Sequence, residues 1–123
     1  MIYEGEEKLK RQAENGFPKG ITKICDRVYF ALGYGGSTCT LVIGEESCIL
    51  VDTLNGVAPA MEARKEFEKL TDKPVRTIIY THYFHFDHTS GASVFAGPDT
   101  RIIGRKPTYP QYGRTGLIKD ICG

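Results

Sequence analysis

No sign of charge predominates in this 123-residue chain: sixteen Lys and Arg stand against fifteen Asp and Glu, leaving +1. That balance supplies no basic excess to hold a phosphate backbone by counterion release, so nucleic acid is not an expected partner. Long hydrophobic runs are missing too, and the few-residue apolar stretches fall far short of the roughly 20 residues of a membrane span. The opening Met1-Ile2-Tyr3-Glu4-Gly5-Glu6-Glu7 is acidic where a secretory signal is basic and then apolar, so a cytoplasmic location is expected. The four cysteines, at 25, 39, 48 and 122, form no Cys-x-x-Cys pair, which excludes a zinc knuckle or thioredoxin-type motif and predicts free thiols. What is present is an ordinary globular mixture, 41% hydrophobic and 25% charged, with room for one domain.

The chain reads as three stretches. Residues 1–20 form a leader in which Glu6–Glu14 has helical character but only Leu9 and Ala13 to bury. Val28–Leu32 predicts a strand running into the loop Gly33-Tyr34-Gly35-Gly36. Thr38–Ile43 alternates with Cys39, Leu41 and Ile43 on one face, and Gly44-Glu45-Glu46-Ser47 predicts a hairpin turn into Cys48–Val51. That last run is continuously apolar, as for a strand covered on both faces. Ala60, Ala63, Phe67 and Leu70 make one apolar stripe over a helix from Val57 to Thr71, with Glu62 and Lys65 an i,i+3 pair on its wet side. Val75–Thr81 is a further buried-type strand, Ser90–Phe95 a short helical segment and Arg101–Ile103 a last strand. The expected class is therefore α/β, a mixed β-sheet with one main helix. Residues 107–123, broken by prolines and glycines, predict an irregular tail.

All three histidines fall within seven residues: His82, His85 and His88, with Asp87 beside the last. Imidazole and carboxylate are the donors that borderline divalent cations such as zinc prefer. The segment also follows the carboxyl end of a buried strand, where open α/β sheets place their sites. Asp52, ending the Cys48–Val51 strand, reads either as a cap of the following turn or as a support for these donors. The Gly33–Gly36 loop is no dinucleotide fingerprint, because a strand rather than a helix follows it.

Thr81-His82, His85-Phe86-Asp87-His88 and Gly91, preceded by the strand ending Ile49-Leu50-Val51-Asp52-Thr53, resemble the metallo-β-lactamase superfamily of metal-dependent hydrolases, whose motif is Thr-His-x-His-x-Asp-His-x-x-Gly. The Ile78-Ile79-Tyr80-Thr81-His82 lead-in is slightly similar to its alkylsulfatase branch. The resemblance spans Ile21 to Lys106 and implies a half domain over 21–106, one half of a four-layer αββα sandwich, completed by self-association as a homodimer or by a separate subunit carrying the other half.

It also implies zinc, with iron or manganese as alternatives. His82 and His85 would give ligands to one ion and Asp87 and His88 to a second, with Asp87 also orienting the attacking water and Asp52 supporting from behind. The implied activity is hydrolysis of a small-molecule ester, sulfate ester, thioester or lactam. Two departures stand against it: Tyr83 and Phe84 both intervene where the family has one residue, so counting back from Asp87 puts Tyr83 at the first ligand position. The ligands that the family draws from its second half have no counterpart after His88, the last histidine. The alternative is a truncated, inactive homologue that folds as an oligomer with weak or no metal binding.

Overall fold

Six strands pair in chain order in a computed structural model of the protein, which describes residues 4–81 and 85–104. They are β1 (Gly20–Cys25), β2 (Val28–Leu32), β3 (Cys39–Ile43), β4 (Cys48–Val51), β5 (Val75–Ile79) and β6 (Arg101–Ile103). The first four form an antiparallel meander, and β4–β5 and β5–β6 are parallel. A parallel pair needs a crossover, and both crossovers are helical. The helix α2 (Val57–Glu68) links β4 to β5, and the single turns α3 (Phe86–Thr89) and α4 (Ala92–Phe95) link β5 to β6.

Local chemistry explains most of these boundaries. At the predicted β3–β4 turn the Gly44 N–H donates to the Ser47 carbonyl at 2.9 Å, closing the hairpin. Ala60, Ala63 and Phe67 are buried under α2, but the helix stops at Glu68 and Leu70, beyond its end, is 41% exposed. Glu62 pairs not with Lys65 but with Lys19, which also lies over the Tyr34 ring. The leader contains a real helix, α1 (Glu4–Gly16), with no buried residue, as its nearly all-polar surface requires. Strand β1 carries too little apolar alternation to be read in advance and is held by its ladder to β2, through a bulge at Lys23–Cys25. No helix among the described residues is long and apolar enough to cross a membrane.

The register sorts side chains into two faces, since partners across a ladder point the same way. Leu41, Leu50, Ile78 and Ile102 line up on the face under α2 and α4, where they join Ala31, Cys39, Cys48, Leu54, Phe67 and Tyr80 in the core. Leu50, Leu54 and Ile78 are fully buried, each stabilising the fold by about 1.5–3 kcal/mol. Phe67 of α2 and Phe95 of α4 meet with ring centroids 6.4 Å apart. The other face carries the rows Phe30–Thr40–Val51–Ile79–Ile103 and Val28–Val42–Ile49–Thr77–Arg101. There Ile49 is 37% and Ile103 44% exposed, so the described residues cover β4 on one face, not on both as its apolar run suggested.

Candidate metal centre

The parallel strands β4 and β5 end side by side, and the chain turns sharply at each end. After Val51, Asp52 and Leu54 both adopt left-handed backbone, with φ of 57° and 66°. This conformation is uncommon outside glycine and asparagine and costs on the order of 1–3 kcal/mol where held. It is held by packing and hydrogen bonds: Leu54 is driven fully into the core, and the Asp52 N–H donates to the Ile79 carbonyl at 2.9 Å. The reversal turns the Asp52 carboxylate back over the end of β5.

Three donors converge on that buried carboxylate. Oδ1 accepts the Thr81 N–H at 2.8 Å, and Oδ2 accepts the Thr81 hydroxyl at 2.5 Å and stands 2.7 Å from His88 Nδ1. With Nδ1–H donated to the carboxylate, the lone pair of His88 sits on Nε2, the tautomer that a metal-ligating imidazole needs. Nε2 in turn faces Asp87, whose Oδ2 is 3.4 Å away. Imidazole nitrogen and carboxylate oxygen therefore meet at the rim of the sheet.

The backbone of this turn is tied down independently. Thr53 donates both its N–H, at 2.8 Å, and its hydroxyl, at 3.0 Å, to the His88 carbonyl. Ser37, at the end of the glycine-rich loop, donates its hydroxyl to the Asp87 carbonyl. These are acceptors that the single-turn helix α3 leaves unmet within itself. Gly91 closes the arrangement: a Cβ there would lie 1.9 Å from the Thr53 carbonyl oxygen and 2.6 Å from the Ala60 Cβ. Ser37 is the residue that sequence reasoning passed over, because an isolated hydroxyl forms no pattern. Thr53, Thr81 and Gly91 stood in the segments that carry the family resemblance, but their anchoring contacts left no trace in the sequence.

Of the residues singled out in the sequence, Asp52, Asp87 and His88 are brought together. His85 precedes α3 in extended backbone, its carbonyl accepting the His88 N–H at 3.1 Å, with an exposed side chain. His82 lies outside the described residues, as do Tyr83 and Phe84. Among the described residues no three His, Cys, Asp or Glu side chains form a cation cage. The donor chemistry suits a divalent cation at two positions, Asp87 and His88, against the three protein ligands usual for catalytic zinc. A cavity of about 510 Å³ between α2 and α4, floored by Leu41, Phe67 and Phe95, opens at the opposite end of the sheet, and neither Asp87 nor His88 lines it.

Comparison with known proteins follows the same outline. A family model described as the metallo-beta-lactamase superfamily matches residues 32–100. An alkyl/aryl-sulfatase of Saccharomyces cerevisiae is 42% identical over 84 residues, covering 68% of this chain but 13% of the yeast protein. The solved stereoselective inverting sec-alkylsulfatase of a Pseudomonas species superposes with a TM-score of 0.71 at 19% identity, over 81% of this chain and 17% of its own. A metallo-β-lactamase of Hirschia baltica gives a TM-score of 0.65 at 21% identity, over 81% of this chain and 49% of its own.

Proposed function

The chain belongs to the metallo-β-lactamase superfamily, a hydrolase family, and on that ground we propose that it carries the metal-ligand half of a hydrolase acting on sulfate esters of alcohols. The observation that carries the reading is the Asp52–His88–Asp87 relay. A buried carboxylate fixes the imidazole tautomer so that Nε2 and the Asp87 carboxylate present two donors at one point. Buried carboxylate–histidine pairs of this kind orient ligands and raise their basicity. The sulfate-ester assignment is supported by the sulfatase names of the relatives, of which the chain covers 13% of the length.

A divalent cation, zinc by family and iron or manganese by donor type, would polarise the scissile group and lower the pKa of a water. The residues of the chain do the rest. His88 Nε2 and Asp87 would hold one cation, and the other imidazoles of the motif, His82 and His85, would give ligands to a second. Asp87 would also orient the attacking water, and Asp52 keeps His88 from rotating. One bond of the C–O–S linkage breaks, the water's OH joins one fragment and its proton the other, and the products are the alcohol and hydrogen sulfate.

The test is titration of purified protein with zinc and with manganese by calorimetry, beside an assay of alkyl sulfate hydrolysis with the metal present. Binding that His88→Ala removes, with turnover of the ester, supports the reading. Absence of binding in the folded protein refutes it. The two-donor count favours a second reading, a module that binds metal weakly and does not turn over ester by itself, either as an inactive homologue or as one subunit of a split hydrolase. Metal binding without hydrolysis selects it.

A further inference from the structure

Asp87 and His88 are neighbours in a helix of one turn, yet they are held very unequally. His88 is fixed at side chain and backbone: Asp52 takes Nδ1, and Thr53 meets its carbonyl with an N–H and a hydroxyl. The Asp87 carboxylate, 38% exposed, meets only His88 Nε2 among the described residues, 3.4 Å from Oδ2. With Nδ1–H given to Asp52, that contact sets an imidazole lone pair against a carboxylate oxygen, two acceptors with no proton between them. Such a pair repels, so the two side chains do not hold Asp87 in place. A four-residue helix cannot do so either, since most of its backbone groups lack a partner inside it.

The remaining tie is Ser37, whose hydroxyl donates to the Asp87 carbonyl. Ser37 is itself well seated, near the end of the loop that joins β2 to β3. At the start of that loop Gly33 has φ 76° and lies against the 17–19 backbone. A Cβ there would come within 2.8 Å of the Lys19 Cα and 2.9 Å of the Phe17 carbonyl oxygen. The Lys19 ammonium pairs with Glu62 of α2 and lies 5.1 Å from the centroid of the Tyr34 ring. Midway along the loop, Gly35 packs on the Asn55 side chain, one residue beyond the left-handed Leu54 that follows the Asp52 turn.

We propose that Ser37 is a positioning residue for the metal centre: the glycine-rich loop, seated on the 17–19 crossing and on Asn55, uses the Ser37 hydroxyl to fix the Asp87 backbone so that its carboxylate faces His88 Nε2. The inference rests on the metal reading above. Both donors then take their positions from one turn, His88 through Asp52 and Thr53, and Asp87 through a loop packed on Asn55. The pair is set before a cation enters between its two acceptors. Without the hydroxyl the Asp87 carbonyl turns to water, and repulsion opens the pair. Supporting contacts of this kind are worth about 10–100-fold in metal affinity. Because Ser37 acts through the backbone, the lower figure applies.

The experiment is calorimetric titration of the whole chain with zinc, beside the visible spectrum of its cobalt(II) form, whose band positions and intensities report ligand geometry. Ser37→Ala should keep native circular dichroism, bind zinc about tenfold more weakly and change the cobalt spectrum. Ser37→Thr, which keeps the hydroxyl, should return both to the parent's values. Gly33→Ala, strained at φ 76° and far from α3 in the chain, should act in the same direction as Ser37→Ala. Parent-like affinity and spectrum in folded Ser37→Ala overturn the proposal and leave the hydrolase reading standing, with Ser37 a contact of the fold alone. Ser37→Thr no better than Ser37→Ala overturns it too. A folded Gly33→Ala with the parent's cobalt spectrum removes the loop as the carrier of the position. A parent that binds neither zinc nor cobalt refutes the hydrolase reading, and this proposal with it.

Discussion

Asp52 Oδ2 stands 2.7 Å from Nδ1 of His88, thirty-six residues away in the chain, and the contact exists because Asp52 adopts φ 57° at the end of β4. An extended residue there would continue the strand and point its side chain along the sheet normal. The left-handed turn instead folds the carboxylate over the end of β5, where Thr81 adds two further donors. Backbone strain and site geometry are thus one feature.

Replacement of Asp52 tests whether that feature serves the metal. Asn tolerates left-handed backbone and keeps the side-chain shape, yet it sets an amide N–H against one of the three converging donors. Unfolding by denaturant should show a loss of about 1–3 kcal/mol. Calorimetric titration of Asp52→Asn should show metal affinity reduced by about 10–100-fold. A stability loss with unchanged affinity would leave Asp52 a purely structural cap.

How much of this was legible beforehand depends on how each residue signals. The stripe Ala60, Ala63 and Phe67 and the Gly44–Ser47 turn are periodic or punctuated patterns, and the structure shows both. Strand β1 is an edge strand with four exposed residues, so burial never imposed alternation on it. Leu54 lies past the end of a strand, outside any apolar period, and is core because its φ of 66° turns its side chain inward there. The grouping of histidines with Asp87 was visible as composition, whereas the ties from Ser37 and Thr53 to α3 carbonyls span fifty and thirty-five residues and leave no local trace.

The cysteines should differ sharply in reactivity. Cys25 is exposed, whereas Cys39 and Cys48 are buried. Burial pushes the Cys39 thiol well above its ordinary 9.0, with the nearby Asp52 charge adding to the shift, and raises Cys48 as well. Since the thiolate is the nucleophile, maleimide labelling of native protein followed by peptide mapping should modify Cys25 quickly and Cys39 only after denaturant. The linkage has a definite sign. A raised folded pKa means the folded state keeps its proton when the unfolded chain loses it, so stability is intact below about pH 9 and falls as pH rises beyond it. Replacing Cys39 by Ala should flatten that alkaline slope, read by denaturant midpoints at increasing pH.

The register of the histidine segment makes a separate prediction. Tyr83 and Phe84 separate His82 from His85, one residue more than the family motif allows. Zinc–nitrogen bonds near 2.0–2.1 Å leave little tolerance for a displaced ring. Deleting Phe84 should raise zinc affinity by about tenfold or more, the worth of one recovered ligand contact at about 1.4 kcal/mol per decade, measured by competition with a chromophoric chelator. Unchanged affinity would place the limiting defect in the donors missing beyond His88.

Glycine substitutions at two positions should move stability in opposite directions. At Gly91 a Cβ would sit 1.9 Å from the Thr53 carbonyl oxygen, itself fixed by the buried turn after β4, and 2.6 Å from the Ala60 Cβ on α2. Neither neighbour is the end of a flexible side chain, so α3 and α4 must lift away from α2 to make room. Overpacking of this kind costs about 1–3 kcal/mol when the surroundings yield, and Gly91→Ala should reach or exceed the top of that range. The same displacement pulls the His88 carbonyl from Thr53, so metal binding should fall with stability. At Gly5, in the exposed helix α1, an added Cβ would meet nothing within 4 Å, and Gly5→Ala should stabilise that helix by about 0.5–1 kcal/mol. Because α1 buries no residue, the gain should appear as helicity by circular dichroism, with the denaturant midpoint of the sheet and the metal affinity unchanged. A Gly91→Ala protein as stable as its parent would mean that the contact between the histidine turn and α2 is looser than the packing requires.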